Sequence, residues 1–444
     1  MQTKFTVIDL FAGCGGLSTG LEMAGFGPIL FSELDQDARN TYIENRYTLV
    51  GDTPFKKCGS LHFGDVYDLS KKVINSAKTE LKDRLDKIDF DRGSRWSPDL
   101  LCGGPPCQGF SGIGHRRSYS VDKSELPSNH LYEKMIEQIR YFSPKIFLFE
   151  NVKGLMSARW SAYGKKGEIF EQILGAFKSI PGYHVFWSLL LAKDYGVPQN
   201  RPRLFVVGIR EDLLPFVQVI KNGGDDAIFN GCLPEPDYEV VDLCDLLSDL
   251  EDPKIPQALR EQNFWSPFRT NEYLKPPLNK TQEKLRTTPS GHVMAMGEPL
   301  AEQDYSRHKS RIVSKFDSMI ASDGAIPDEF KTKKFAQRLL PKHWKNKGPF
   351  ITTTSLPDDY VHYNQPRILT VREWARLQTF PDWYVFKGNR TTGGLRRAGN
   401  PKAGIFDREV PKYTQIGNAV PVLLAEKIGK HFAKLLDLYR ENVG

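Results

Sequence analysis

Between residues 5 and 209, short apolar runs alternate with stretches of helical periodicity, and this alternation limits the chain to few architectures. Phe5 to Phe11 reads as a buried strand, residues 13–16 as a glycine turn, and Leu17 to Ala24 as a helix. Pro28 to Glu33 forms a second strand pattern, followed by a polar helix from Gln36 to about Arg46. Asp99 to Cys102 is a strand stopped by Gly103-Gly-Pro-Pro106, and a helix from about His130 to Tyr141 leads into a strand at Lys145 to Glu150. Further strands are predicted over 184–191 and 203–209. Strands this uniformly apolar are covered on both faces. The expected fold is therefore α/β, with a doubly wound, mostly parallel sheet.

The pattern breaks after residue 213. Residues 214–363 are rich in Pro, Gly and charge and show few clear periods, which marks a functional insertion or a small domain. Helical periodicity returns over 370–380, beginning Thr370-Val-Arg-Glu, and again over 420–439 in an amphipathic helix suited to packing back on the sheet. The predicted division is a first domain over 1–213 completed by 413–444, and a second over 214–412 that includes a hinge segment at 366–385.

The 444 residues carry a net charge of +7, which is unevenly placed. Residues 269–347 hold 16 Lys+Arg against 9 Asp+Glu, and 387–412 hold 7 against 2, so the remainder is net acidic. Two such segments are either solvated loops or a polyanion-binding face. A 40% hydrophobic fraction fills a core and excludes wholesale disorder. No window approaches the ~18 consecutive apolar residues of a spanning helix. The N-terminus runs into a strand pattern with no signal-peptide layout, so a soluble, cytoplasmic protein with no membrane partner is expected. The six cysteines (Cys14, Cys58, Cys102, Cys107, Cys232 and Cys244) form no Cys-x-x-Cys pair, and neither a metal site nor a disulfide framework is expected.

Asp9-Leu-Phe-Ala-Gly-Cys-Gly-Gly-Leu17 sits at a strand-to-helix turn, where glycines let a ligand approach the backbone and the helix N-terminus favours negative charge. The spacing is not the G-x-G-x-x-G of dinucleotide sites, and a tight turn alone is the other reading. Glu33, after the second strand, can accept hydrogen bonds from ribose hydroxyls, and Asp65 can take an adenine amino group. Each acid alone reads as a helix cap or loop residue; in series with the glycine turn they read as nucleotide contacts. Gly103-Gly-Pro-Pro-Cys107-Gln-Gly-Phe-Ser111 holds a cysteine rigidly at a strand end, where open α/β sheets form their sites. A structural cysteine belongs inside the apolar run, as Cys102 is, so Cys107 is the candidate nucleophile. The following loop, with His115, Arg116 and Arg117, is basic and suited to closing on a phosphate backbone. Glu150 ends another strand at the same edge. Arg201 and Arg203, spaced i, i+2 on an extended segment, point to one side, with salt bridging as the alternative role.

Together these segments resemble a DNA (cytosine-5)-methyltransferase of the bacterial restriction–modification type. The resemblance runs in order through the glycine turn, Gly-Pro-Pro-Cys-Gln-Gly-Phe-Ser, Glu150-Asn-Val and Gln199-Asn-Arg-Pro-Arg203. It continues to Arg372-Glu-Trp-Ala-Arg-Leu-Gln-Thr-Phe-Pro381 and Gln415-Ile-Gly-Asn-Ala-Val-Pro421, and spans nearly the whole chain. It implies a Rossmann-like S-adenosylmethionine-dependent methyltransferase sheet, with residues 214–363 in a smaller, irregular or β-rich target-recognition domain. The implied cofactor is S-adenosylmethionine. Phe11 would lie near the adenine, Gly13 and Gly15 near the methionine part, Glu33 at the ribose, and Asp65 with Val66 at the adenine. Gly16, Leu17, Leu34, Pro105, Asn418 and Val420 complete the implied cofactor set. Leu34 departs from the family, many of whose members carry Trp there, and aromatic stacking on that adenine face is lost with it.

The resemblance further implies double-stranded DNA with a short specific recognition sequence, and a cytosine flipped out of it. Cys107 would add at C6, Glu150 would meet N3 and the exocyclic amine, and Arg203 would hold O2 with Arg201 in support. A loop from Gly109 to about Asn129 is the candidate lid. The implied DNA contacts are Ser111, His115, Arg116 and Arg117 there, with Arg390, Arg396 and Arg397 in the later basic segment. A cognate restriction endonuclease acting independently is implied as well, and a monomer is expected because each duplex site needs one pocket. Three rivals stand beside this reading. A tRNA cytosine-5 methyltransferase would have a short recognition region. A non-catalytic DNA-binding relative would not need Cys107, Glu150 and Arg203. A nicotinamide enzyme would show the dinucleotide glycine spacing.

Overall fold

The computed structural model describes residues 4–46, 62–69, 97–106, 127–161, 163–217, 224–331, 336–343, 357–391 and 409–443. In β1 (Phe5–Leu10), Phe5 and Val7 enter one apolar layer while Ile8 and Leu10 enter another. In β5 (Ile146–Val152), Ile146 and Leu148 join the first layer, and Phe147 and Phe149 the second. Successive strand side chains point to opposite faces, so strands apolar at every position require cover on both. Helices α3 (Leu131–Phe142) and α4 (Glu168–Lys178) supply one cover through Met135, Ile139, Ile173 and Phe177. Helix α4 has no counterpart among the predicted elements. Helix α1 (Gly16–Met23) covers the other face together with the chain's last helix.

The remaining strands are β2 (Phe26–Ser32), β3 (His62–Phe63), β4 (Leu100–Gly103), β6 (Tyr183–Leu191) and β7 (Pro202–Arg210). Their order across the sheet is β3-β2-β1-β4-β5-β7-β6. Pairs β3–β2, β2–β1, β1–β4 and β4–β5 are parallel, as predicted. Strand β7 runs antiparallel to both β5 and β6. Its apolar run looks the same in either direction, but the short connection 192–201 suits a hairpin and is too brief for the usual parallel crossover.

The other helices are α2 (Gln36–Glu44), α5 (Leu243–Leu247), α6 (Lys254–Glu261), α7 (Lys280–Arg286), α8 (Ser310–Ala321), α9 (Val371–Leu377), α10 (Lys412–Asn418) and α11 (Val422–Val443). Helix α11 packs along α1 at main-chain distance. A Cβ on Gly20 would run into the carbonyl oxygen of Val422, and one on Gly16 into that of Val420. The return of the last helix to the first elements thus rests on two residues without side chains.

The described part of 214–412 is irregular, as expected, but not β-rich. Its strands are the two-residue pair β8 (Arg338–Leu339) and β9 (Tyr360–Val361), with isolated bridges such as Arg269–Asp304. Frequent Pro and charged residues leave no uninterrupted period-two run, and helices α6 and α8 instead close a local core with Phe268 and Tyr305. Helix α9 begins with a capping box in which Thr370 Oγ1 accepts from Glu373 N and Glu373 accepts from Thr370 N.

Helix α9 anchors this region through charges with no exposed side-chain surface. Arg376 Nη1 lies 2.6 Å from Asp249 Oδ1, Arg376 Nη2 lies 2.6 Å from Asp382 Oδ2, and Arg286 Nη2 lies 2.5 Å from Asp249 Oδ2. Tyr273 OH donates to Asp382 at 2.8 Å, and the Arg286 guanidinium lies 3.7 Å from the Tyr273 ring centre. Removing one member of a buried ion network strands the charges left behind. Asp249→Ala is expected to lower stability by about 3–5 kcal/mol in chemical denaturation. A loss below about 1 kcal/mol, the scale of an exposed pair, would show that the network does not hold the region.

Candidate active site

The glycine turn lies at the carboxyl end of β1, and its geometry is set by buried polar groups. Phe11 adopts φ 58°, Gly13 57° and Gly15 87°, all left-handed. For a bulky residue such as Phe11 that conformation is strained, a condition concentrated at ligand sites. Arg46 locks the turn, its Nη2 donating to Gly15 O at 2.8 Å and to Thr19 Oγ1 at 2.6 Å, and its Nη1 to Tyr384 OH at 2.8 Å. Behind the turn, buried Asp9 accepts from Ser18 Oγ at 2.5 Å, and burial pushes its carboxyl up to about 6.

Glu33 follows β2 and faces the turn. Its Oε2 accepts from Gly13 N at 2.7 Å and its Oε1 from Asp35 N at 2.8 Å. Burial pushes this carboxyl up to about 7, against the backbone donors that favour its charged form. Leu34 is 71% exposed, and Tyr67, in the short turn that follows β3, is 52% exposed. Leu34, a large apolar side chain left in water next to half-buried Glu33, is what an adenosine-like group would cover. Asp65 accepts from Tyr67 N at 3.0 Å and so caps its own turn, and Val66 beside it is buried. Leu17 is buried, Gly16 lies beneath Val420, and Asn418 is exposed at the end of α10. These residues form one cradle around the β1–α1 turn, and they fit S-adenosylmethionine.

The second half of the site lies at the ends of β4 and β5. Glu150 Oε1 is 2.7 Å from Arg203 Nε across the antiparallel β5–β7 ladder. Burial raises the Glu150 carboxyl above its ordinary range, with Arg203 and then Arg201 opposing the rise. Burial also lowers Arg203 below the ordinary guanidinium range. A Cβ on Gly104 would lie 2.8 Å from Glu150 Oε2, so the glycine is what lets the Gly-Gly-Pro-Pro segment pass over the acid. Asn151 Nδ2 donates to Pro105 O at 3.2 Å and holds that segment in place. Arg201 is turned to main chain: its Nη2 donates to Gly417 O at 2.6 Å and Ala419 O at 3.0 Å, on either side of Asn418. Arg201 is therefore a positioning residue in this structure.

Cys107, Ser111, His115, Arg116, Arg117, Arg396 and Arg397 lie outside the described residues. Arg390 is turned to the segment ahead of α8, donating to Asp304 O and Ser306 Oγ at 3.2 Å each. The basic segments are also less free than their sequence suggests: Arg286 is buried, and Lys412 pairs with Glu302 at 2.9 Å. Arg269, Arg307, Lys309 and Lys331 remain exposed. Sequence reasoning missed Arg46, Asn151 and Gln378. Gln378 donates to Ile416 O at 2.9 Å and Ala419 O at 2.7 Å. Asn151 and Gln378 stand inside the matched segments and could have been singled out there, whereas Arg46 carries no local signal.

The family model for C-5 cytosine-specific DNA methylases matches residues 5–434. Type II methyltransferase M.DdeI of Desulfomicrobium norvegicum is 30% identical over 453 residues, covering 98% of this chain and 89% of that protein. Type II methyltransferase M.BspRI of Lysinibacillus sphaericus is 30% identical over 446 residues, covering 99% and 84%. Among solved structures, one described as a DNA modification methyltransferase encoded within an Escherichia coli prophage aligns with a TM-score of 0.61 at 23% identity. That alignment covers 98% of this chain and 99% of the other and shows a shared fold.

The raised carboxyl of Glu33 makes a pH prediction. Ionised, Glu33 can accept from ribose hydroxyls with both oxygens, and protonation turns one of those acceptors into a donor, so S-adenosylmethionine affinity should rise as pH increases through about 7. Calorimetric titration across that range should show the rise in the wild type and a weaker, flatter profile in Glu33→Gln. Parallel profiles for the two proteins would contradict the assignment.

Proposed function

The chain belongs to the C-5 cytosine-specific DNA methylase family, and on that premise we propose that it methylates one cytosine within a short recognition sequence of duplex DNA. The methyl donor is S-adenosylmethionine, which supplies an electrophilic methyl group when bound. The observation that carries the site reading is the Glu150–Arg203 pair. It sets an acid of raised pKa and a guanidinium at one sheet edge, beside the Pro-Pro segment that leads to Cys107 and beside the cofactor cradle.

Cytosine C5 is a poor nucleophile, and a covalent cysteine step overcomes this throughout the family. Cys107 acts as the thiolate and adds at C6, which raises electron density at C5. Glu150 holds a proton toward N3 and stabilises the charge that builds there; burial raises its affinity for that proton, against Arg203 and Arg201. Arg203 orients the base through O2. Arg201 and Gln378 hold the 417–419 main chain, and with it Asn418, against the cradle. Once C5 carries the methyl group, its proton passes to a solvent base and Cys107 leaves as the thiolate by β-elimination. The target base must leave the stack first, at a cost of a few kcal/mol offset by pocket contacts.

Residues 1–213 with 413–444 form the catalytic unit in this reading, and 214–412 the recognition unit with its hinge at 366–385. Arg269, Arg307, Lys309 and Lys331 meet the phosphates, and Ser111, His115, Arg116, Arg117, Arg390, Arg396 and Arg397 approach the duplex. The enzyme works as a monomer and protects host DNA from a cognate endonuclease, a role supported by relatives named type II methyltransferases. Among the described residues no helix is long and apolar enough to cross a membrane.

Labelled methyl transfer from S-adenosylmethionine should appear on duplex DNA and not on tRNA; the reverse outcome overturns the proposal. Cys107→Ser should lower transfer at least about a thousandfold with cofactor binding retained. Glu150→Gln should lower kcat by about 10²–10⁴. The logarithm of DNA affinity should fall linearly with the logarithm of salt concentration. Each phosphate-contacting charge neutralised among Arg307, Lys309 and Lys331 should flatten the slope by about 1. An unchanged slope in the triple variant would remove these residues from the interface.

A further inference from the structure

A cluster remote in sequence from the catalytic motifs brings three metal-ligating side chains together. His343 Nδ1 lies 3.1 Å from Asp242 Oδ2 and 3.8 Å from Cys244 Sγ, and the three ligand atoms all lie within 4.8 Å of one another. We propose that Asp242, Cys244 and His343 form a site for zinc, held by one carboxylate, one thiolate and one imidazole, with solvent in the fourth position.

The two separations, 3.1 and 3.8 Å, lie within a few tenths of an ångström of those a shared ion sets. Tetrahedral zinc with ordinary bond lengths separates a sulfur and a nitrogen ligand by about 3.6 Å and a nitrogen and an oxygen ligand by about 3.4 Å. Hydrogen bonding explains the cluster less completely: the other acceptor near the Cys244 thiol, Asp245 Oδ1, lies 4.0 Å away, at the outer limit for sulfur. Both partners approach the same ring nitrogen, and one Nδ1 either donates to Asp242 or accepts from the Cys244 thiol. The shared nitrogen also excludes a nucleophilic Cys–His–Asp relay, which needs the thiol and the carboxylate on opposite ring nitrogens. A cation bound by all three atoms uses every one of these approaches at once.

The two ligand-bearing segments are tied to each other by main chain and by a shared core. Cys244 N donates to Lys342 O at 3.0 Å, fixing the start of α5 beside the segment that carries His343. Leu243 and Leu340, next to the ligands, are fully buried in one core. Asp242 occupies the N-cap position of α5, yet its carboxylate does not cap the helix and meets His343 instead. The His343 side chain is 57% exposed, so the cluster opens to solvent on one side. An ion here would tie two segments 99 residues apart and link the stability of the recognition region to zinc.

The test uses the full chain, freed of metal by a chelator that is then removed. Equilibrium dialysis against zinc with elemental analysis should find one equivalent bound, and the cobalt-substituted protein should show tetrahedral ligand-field bands with a thiolate charge-transfer band. Cys107→Ser should keep both. Cys244→Ser should lose the charge-transfer band, and His343→Gln, a change at an exposed position, should weaken zinc binding more than about tenfold. Zinc should raise the melting temperature of the wild type and leave that of folded His343→Gln unchanged. Absence of stoichiometric zinc in the wild type, or its retention at wild-type affinity in both Cys244→Ser and His343→Gln, overturns the proposal.

Discussion

The reversal of β7 is the constraint on which the site depends. Because β7 runs antiparallel to β5, the residues entering it stand at the carboxyl edge of the parallel strands. Three alternate residues of that entry tie three distant parts of the chain to this edge. Gln199 Nε2 donates to Leu377 O at 2.7 Å, Arg201 to the carbonyls flanking Asn418, and Arg203 pairs with Glu150. Their spacing follows strand periodicity, which turns alternate side chains to one side. A parallel β7 would put all three at the far end of the sheet.

The functional groups are thus held by main-chain contacts and buried charge rather than by surface loops. Gly16 and Gly20 let α11 approach α1 until backbones touch, which sets Val420 over the glycine turn. Arg46 holds that turn from beneath, and the network of Arg376, Asp249, Asp382 and Arg286 joins α9 to the irregular part of the chain that precedes it. Such buried charges are expensive to separate, so they fix one arrangement. Burial raises Glu33, Glu150 and the structural Asp9 alike, whereas Glu373, in bidentate contact with Arg367, is lowered to about 2. Bidentate pairing overrides burial at Glu373; at the other three acids burial prevails.

Much of the fold was legible because its signals are local. The apolar runs at Phe5, Pro28 and Lys145 became β1, β2 and β5 within a few residues, and Thr370-Val-Arg-Glu became a capped helix. Strand direction has no local signature, so the antiparallel β7 was not legible. Glu33 was anticipated beside the glycine turn and Glu150 at the sheet edge of Cys107; Arg203 joined them only through the resemblance, because its place at that edge depends on the reversed β7. Arg46 was not, since a lone arginine after a polar helix looks like solvated surface. The Asp242, Cys244 and His343 cluster was equally invisible: its cysteine lacks a Cys-x-x-Cys partner, and only tertiary folding brings the histidine to it. The β-rich expectation for residues 214–412 came from resemblance alone and met helices and irregular chain among the described residues.

The central claim is that Cys107 forms a transient bond to a cytosine held by Glu150 and Arg203. A library of duplexes carrying 5-fluorocytosine tests it directly, because after methyl transfer no C5 proton can leave and the bond to C6 persists. The account predicts a protein–DNA adduct that survives denaturant, forms only with S-adenosylmethionine, and maps by mass spectrometry to the peptide containing Cys107. Methyl transfer without a trapped adduct, or an adduct on another residue, would contradict it.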